Sequence, residues 1–403
     1  MRVDTRKRNR FFVILILTLT IFSFGLNIGS TLSADKTLLQ MKDELTDQVE
    51  DTIDDIDFDE IQSIVDDFDD NQKKMFSISN VKEKVKQVLS GESKLDYGSI
   101  LGGILSVLFQ IIADYLPMFA ILVSVGILSS ILGSLKTKFS EKSIGDIVHF
   151  VCFCVSIVVV GTIIKGLIQN TLNSINSMQK QMSAIFPIIL TMMTALGANS
   201  SVGVFQPALA IFSNVSSKIF SNIIIPIFTL SFAFGIIGNL SNNVKLDKFN
   251  SFFSSLFKWL VGVLFTVFFA IVSIQGITAG SFDSVSIRTV KFTMSSYVPV
   301  LGGYLSQGMD IILATSVLVK NAVGLVGIMI LFGSILAPIL EIVVVSLLLK
   351  GVSAILQPLN NDRITNFLHT TSKCIMMLST CLIVVAFMYF IMIGLGMATA
   401  NIL

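Results

Sequence analysis

His149 and His369 are the chain's two histidines, and neither lies beside a plausible nucleophile, so a serine or cysteine activated by imidazole has no support. No glycine-rich loop is followed by Lys-Ser or Lys-Thr, the arrangement that cradles nucleotide phosphates. Cys152, Cys154, Cys374 and Cys381 fall in or at the edge of apolar stretches, where a thiol behaves as a small hydrophobe. Cys152 and Cys154 are two apart, which on a helix points their thiols about 200° from each other, a poor start for a shared metal. The run Asp54-Asp55-Ile56-Asp57-Phe58-Asp59-Glu60 offers hard oxygen ligands but lacks the glycine and ligand order of a calcium loop. The expectation is a chain that is no enzyme, with no catalytic, cofactor or metal site, drawing any energy from a gradient or a partner.

Charged residues inside apolar context are more informative, because a charge at the bilayer centre costs at least ~2.5–3.5 kcal/mol on insertion scales. Asp114, Lys165, Arg288, Lys291, Asp310, Lys320 and Glu341 are of this kind. Lys165 and Lys350 read as lysines that snorkel to a membrane face. Asp310 and Lys320 bracket an apolar stretch, where they would line a polar cavity or meet a partner subunit. Two proline segments flank this region of interest: Met182-Ser183-Ala184-Ile185-Phe186-Pro187 and Met294-Ser295-Ser296-Tyr297-Val298-Pro299 share the pattern Met-Ser-x-x-x-Pro. Each opens an apolar segment too short to cross a bilayer comfortably, and paired broken half-spans are how transporters build sites at mid-depth. Candidate pore or partner contacts are therefore Pro187, Arg288, Lys291, Pro299, Asp310, Lys320, Asn321 and Glu341.

The elements that must position these residues are membrane helices. Apolar residues make up 53% of the 403 and charged residues 14%, where a soluble domain carries about a quarter; the mean hydropathy is +0.81. The net charge of +1 conceals fifteen acidic residues between Asp35 and Asp70, set against Lys36 and Lys42 alone. At the amino end Arg2, Arg6, Lys7, Arg8 and Arg10 precede an apolar run from Phe11 to about Ile28 and the small residues before Asp35, the layout of a secretory signal over 1–34. Residues 35–98 would then be exported. There Val49, Ile53, Ile61, Ile64, Val65 and Phe68 recur at helical spacing among carboxylates, and a basic helix carrying Lys82, Lys84 and Lys86 could fold back on the acidic one.

From Ser99 onward, over 99–403, apolar segments alternate with short polar loops. Basic loops at Lys136 to Lys142 and Lys245 to Lys258 read as cytosolic. Asn170 to Gln181 reads as an exported linker, followed by the first half-span at Ala184 to Leu196. Ala322 to Ala337 and Ile339 to Leu356 read as a hairpin bent at Pro338, and a last span starts near Cys374. The fold expected is all-α and polytopic, with about seven transmembrane helices, two proline-broken half-spans, the carboxyl end inside, and a weak internal repeat of 147–240 in 259–340.

Gly276-Ile277-Thr278-Ala279-Gly280 through Ser286-Ile287-Arg288-Thr289-Val290-Lys291-Phe292, then Val298-Pro299-Val300-Leu301-Gly302, then Leu318-Val319-Lys320-Asn321-Ala322-Val323-Gly324-Leu325, resembles the core signature of the stage III sporulation protein AE family. The resemblance extends more loosely to the first half-span, to Phe205-Gln206-Pro207 and to Gln357-Pro358-Leu359; the acidic segment is the part least like it. It implies an endospore-forming bacterium and a subunit of the channel or feeding apparatus between mother cell and forespore, in the mother-cell membrane around the forespore. It implies as partners the other stage III sporulation A operon proteins, including a secretion-type ATPase and ring-forming subunits, and stage II sporulation protein Q across the intermembrane space. It supplies no catalytic residue and no nucleic-acid partner. A self-sufficient secondary transporter, motivated by the half-spans, and a structural membrane scaffold are the alternatives.

Overall fold

The computed structural model describes residues 36–92, 97–135, 142–240, 247–297, 302–359 and 362–399. The signal read at 1–34 lies outside these residues. The chain divides at Thr46 into an amino-terminal unit, helical from Lys36, and a compact unit from Asp47 to Leu403. Among the described residues the regular structure is helical, with no strand.

Four short helices come first: α1 (Lys36–Asp54), α2 (Asp59–Asp66), α3 (Asp70–Phe76) and α4 (Val81–Leu89). The apolar residues picked out by their spacing form a core of their own, with Val49, Ile53, Phe58, Ile61, Ile64, Val65 and Phe68 buried. The predicted fold-back of basic on acidic helix is present. Lys82 and Lys86 reach Asp54 at 3.2 and 3.1 Å, and these two ammonium groups, Lys86 foremost, hold the Asp54 carboxyl below the ordinary carboxylate range. Burial pushes the Lys84 ammonium below the usual lysine value. Asp69 caps α3 with a reciprocal box: its carboxylate accepts from the Gln72 amide at 2.7 Å and Gln72 Oε1 accepts from the Asp69 amide at 2.9 Å.

The apolar body follows as α5 (Tyr97–Leu135), α6 (Lys142–Ala195), α7 (Asn199–Ile219), α8 (Ile225–Leu240), α9 (Asp247–Tyr297), α10 (Gly302–Leu356) and α11 (Asp362–Ala398). A π-helical turn, Phe220–Ile224, joins α7 to α8 just before Pro226, whose missing N–H disturbs the regular ladder there. Among the described residues, six helical segments are long and apolar enough to cross a membrane: Gly98–Ile131, Ile147–Ala195, Asn214–Asn239, Lys248–Ser273, Asp310–Leu359 and Asp362–Ala398.

Three sequence expectations change. The hairpin at Pro338 is a single helix, α10, running unbroken from Gly302 to Leu356 with Pro338 inside it, so two expected spans merge into one. The Asn170–Gln181 linker is also helix, the middle of α6, because its amides find partners on neighbouring helices: Asn170 on Glu341, Gln181 on Ser334, while Ser217 donates to Asn176 at 2.9 Å and Gln179 donates to Asn214 at 3.2 Å. The first half-span, Ala184 to Leu196, is the continuation of that same helix through Pro187 rather than a separate insertion. The second half-span turns on Pro299, which lies outside the described residues.

The helices α6, α9 and α10 hold 54, 51 and 55 residues. At 1.5 Å per residue each is about 80 Å long, against a hydrocarbon core of ~30 Å. A belt of exposed large apolar side chains includes Leu105, Phe109, Ile127, Leu128 and Ile131 on α5, Phe150, Val155 and Val158 on α6, and Phe249, Trp259, Val267 and Ile271 on α9. From Phe249 to Ile271 the belt is about 33 Å deep, the thickness of a bilayer core. Each long helix is thus more than twice as long as a single crossing needs.

The helix ends beside that belt meet: Ser130 Oγ donates to the Leu359 carbonyl, Ser353 Oγ to the Thr365 carbonyl at 3.1 Å, and Ser231 Oγ to Asn250 at 2.9 Å. Lys248 lies at the start of α9, Lys350 near the end of α10 and Arg363 at the start of α11, an end that reads as cytosolic by the basic-residue rule. Six crossings from an exported amino-terminal segment would bring the carboxyl end out, where the expected seven put it inside. Single cysteines at Lys248 and Asp362, in a background without native cysteine, should resist a membrane-impermeant thiol reagent in intact cells, whereas cysteines at Gln62 and Ala398 should react. Labelling at Asp362 with protection at Ala398 would overturn this topology.

Candidate functional site at Glu341

Glu341 is one turn past Pro338 on α10, and three neutral donor contacts converge on its carboxylate. Tyr115 of α5 donates its hydroxyl to Oε1 at 2.5 Å, and Asn170 of α6 donates Nδ2 to Oε1 at 3.1 Å and to Oε2 at 2.9 Å. Donation from both sides fixes Glu341 as the acceptor, and charge-assisted bonds of this kind are about twice as strong as neutral ones. The three residues stand 226 and 171 positions apart in sequence. Only the packing of α5, α6 and α10 brings them together.

Around them lies a cavity of about 350 Å³, bounded by α5, α6, α10 and the start of α3. Asp69, Asp114 and Glu341 supply carboxylates to its walls, and Gln72, Gln110, Asn170, Asn173 and Ser174 supply neutral polar groups; no basic side chain lines it. Gln181, buried on α6, donates to Ser334 Oγ on the same wall, and Ser334 in turn donates to the Ile330 carbonyl at 3.0 Å. A second cavity, of about 480 Å³, lies between α6, α7 and α11. Ser183, Pro187, Thr191, Gln206 and Tyr389 line it among apolar neighbours, and no charged residue does.

Removing either donor to Glu341 takes away part of the hydrogen bonding of a half-buried carboxyl group. Tyr115→Phe and Asn170→Ala should each destabilise the protein by about 0.5–1.5 kcal/mol, the net range for a hydrogen bond. Because both serve one carboxylate, the double variant should depart from additivity by ~0.5 kcal/mol or more. Reversible unfolding in mixed micelles measures this, and strictly additive losses would show that the two donors act independently.

The other residues singled out in the sequence are dispersed. Pro187 is exposed on α6 at the 480 Å³ cavity. Lys320 is fully buried, donating Nζ to the carbonyl of Thr399 just past α11, and lines neither cavity. Asp310 sits ten residues earlier on α10, about 15 Å along the axis. Asn321 is half-buried, and its Oδ1 has no hydrogen-bond partner. Arg288 and Lys291 are on α9. The two cavities are thus separate, and Glu341 joins neither Lys320 nor Pro187.

Sequence reasoning missed Tyr115, Asn170, Gln181 and Ser334, whose only signal was polarity within long apolar helices. It also missed the contact of Ser129 Oγ with His149 Nδ1 at 2.7 Å. That pair ties α5 to α6, with Ser129 fully buried. Among the described residues no group of three or more histidine, cysteine or carboxylate side chains is placed to hold a metal ion.

Residues 79–400 match the family model described as stage III sporulation protein AE. The stage III sporulation protein AE of Bacillus subtilis (strain 168) is 23% identical over 320 residues, covering 79% of this chain and 80% of that relative. No solved structure matches. The match begins just before α4, so α1, α2 and α3 precede it, while α5 to α11 fall within it.

Proposed function

The chain belongs to the stage III sporulation protein AE family, and from that premise we propose that it is a multi-pass membrane subunit of the channel or feeding apparatus joining mother cell and forespore. It works in the mother-cell membrane around the forespore, after engulfment. Its partners are the other stage III sporulation A operon proteins, among them a secretion-type ATPase and ring-forming subunits, with stage II sporulation protein Q across the intermembrane space.

The family match over 79–400 carries this reading. Its support in the fold is the length of α6, α9 and α10, each about 50 Å longer than a single bilayer core, enough to reach partners beyond the membrane. The chain's role is that of a membrane anchor and passage wall rather than a catalyst, and energy comes from the ATPase partner. Purified alone in liposomes it should pass no calcein, and leakage should appear only when partner subunits are added. Leakage through the purified chain alone would favour a self-sufficient transporter instead.

A further inference from the structure

Helix α10 runs straight through a residue that should break it. Pro338 has no N–H to give the Ser334 carbonyl, and its ring crowds that carbonyl, the usual origin of a helix kink. What surrounds the break is a set of ties from outside the helix. Gln72 Nε2 donates to the Gly333 carbonyl at 2.9 Å, Gln181 holds Ser334 Oγ, and Tyr115 and Asn170 hold Glu341 on the far side.

The tie through Gln72 comes from the exported segment. Its amide orientation is fixed by the capping box: Oε1 must accept from the Asp69 N–H, which leaves Nε2 to face Gly333. Two buried rings of the same segment press on the same point. A Cβ added at Gly333 would lie 2.9 Å from Phe68 Cε2 and 3.5 Å from Phe76 Cδ2, so this close seating requires glycine. Met75 makes a similar approach to Gly103 on α5.

We propose that Pro338 is a hinge in α10 and that the exported segment, through Phe68, Gln72 and Phe76, is the strap that holds the helix in one fixed arrangement across it. With the strap seated, α10 acts as one rod from Gly302 to Leu356. With the strap lifted, the part before Pro338 swings against the membrane-embedded part after it, which converts a pull on the exported segment into movement within the bundle. Such a device needs one element with two arrangements and a contact that biases them, and the proline break and its strap supply both.

The test is amide hydrogen exchange over residues 330–345 of the full-length protein in nanodiscs. Gln72→Glu keeps the capping box, since glutamate serves at that position, but replaces the donor to Gly333 with an acceptor. It should speed exchange of amides flanking Pro338 about tenfold, and by less than about twofold in a Pro338→Ala background, where the helix supplies its own bond. Unchanged exchange, or equal acceleration in both backgrounds, would overturn the hinge. A second variant guards against mere misfolding. With the four native cysteines replaced, Met75→Cys with Gly103→Cys places the two Cβ atoms about 3.4 Å apart, close to disulfide range. Oxidation should return exchange in the Gln72→Glu protein to its original rate; failure to do so would show that the strap does not control the break.

Discussion

Phe68→Ala should loosen the seating of the exported segment on the bundle by about 3–5 kcal/mol, the usual loss for a buried phenylalanine truncated to alanine. The ring is buried, belongs to the segment's own core and also closes on Gly333, so its removal opens a cavity and breaks a docking contact together. Trypsin should register the change as cleavage at Lys73, Lys74 or Lys82 accelerated roughly 10²-fold or more, because cleavage follows the population of the open form. Gly333→Val should act in the same direction from the other side by overpacking, at about 1–3 kcal/mol. Cleavage of Phe68→Ala at the original rate would mean that the segment is held elsewhere.

The second large effect is expected at Lys320, where two substitutions should part company. Lys320 is fully buried and gives a hydrogen bond to the Thr399 carbonyl, which fastens the chain just past α11 to α10. Glutamate there would face a carbonyl with a buried negative charge, and leaving such a charge without its partner typically costs about 3–5 kcal/mol. Lys320→Glu should therefore reduce protein abundance in the membrane as well as function. Methionine fills a similar volume without charge, and replacing a buried ionic group by a packed apolar one is often neutral. Equal abundance of the two variants at normal function would show that the site tolerates charge and opens to water.

The sequence made the class of fold readable because its signals were compositional or strongly periodic. Hydropathy fixed the apolar helices; the spacing of Val49, Ile53, Ile61, Ile64 and Val65 fixed the exported core, and the charge contrast between Asp54 and Lys82 or Lys86 anticipated their pairing. What misled was reading polar residues and prolines as punctuation. The amides of Asn170 to Gln181 resemble a loop only while their partners are unseen; in the fold they bond to α7 and α10 and the helix continues through them. Pro338 resembles a turn until its surroundings are seen, where Gln72 ties the Gly333 carbonyl next to the one that proline leaves without its helical donor.

Glu341 was legible as a costly charge in an apolar context, but its ligands were not. Tyr115 and Asn170 are ordinary residues at separations no local pattern reports. Lys320 and Asp310 shared that signal of misplaced charge, yet Lys320 turns out to serve packing at the end of the bundle. A charge in apolar sequence flagged an important position in both cases without distinguishing a cavity wall from a structural tie.

Deletion of the gene in its own host, followed through vegetative growth and then through sporulation, tests the role in the forespore channel most directly. Growth should be unaffected, and development should stop after engulfment with late forespore gene expression failing, because such a subunit matters only once the forespore is sealed inside its neighbour. A nutrient- or ion-dependent growth defect with normal spore yield would contradict the channel role and assign the chain to housekeeping transport.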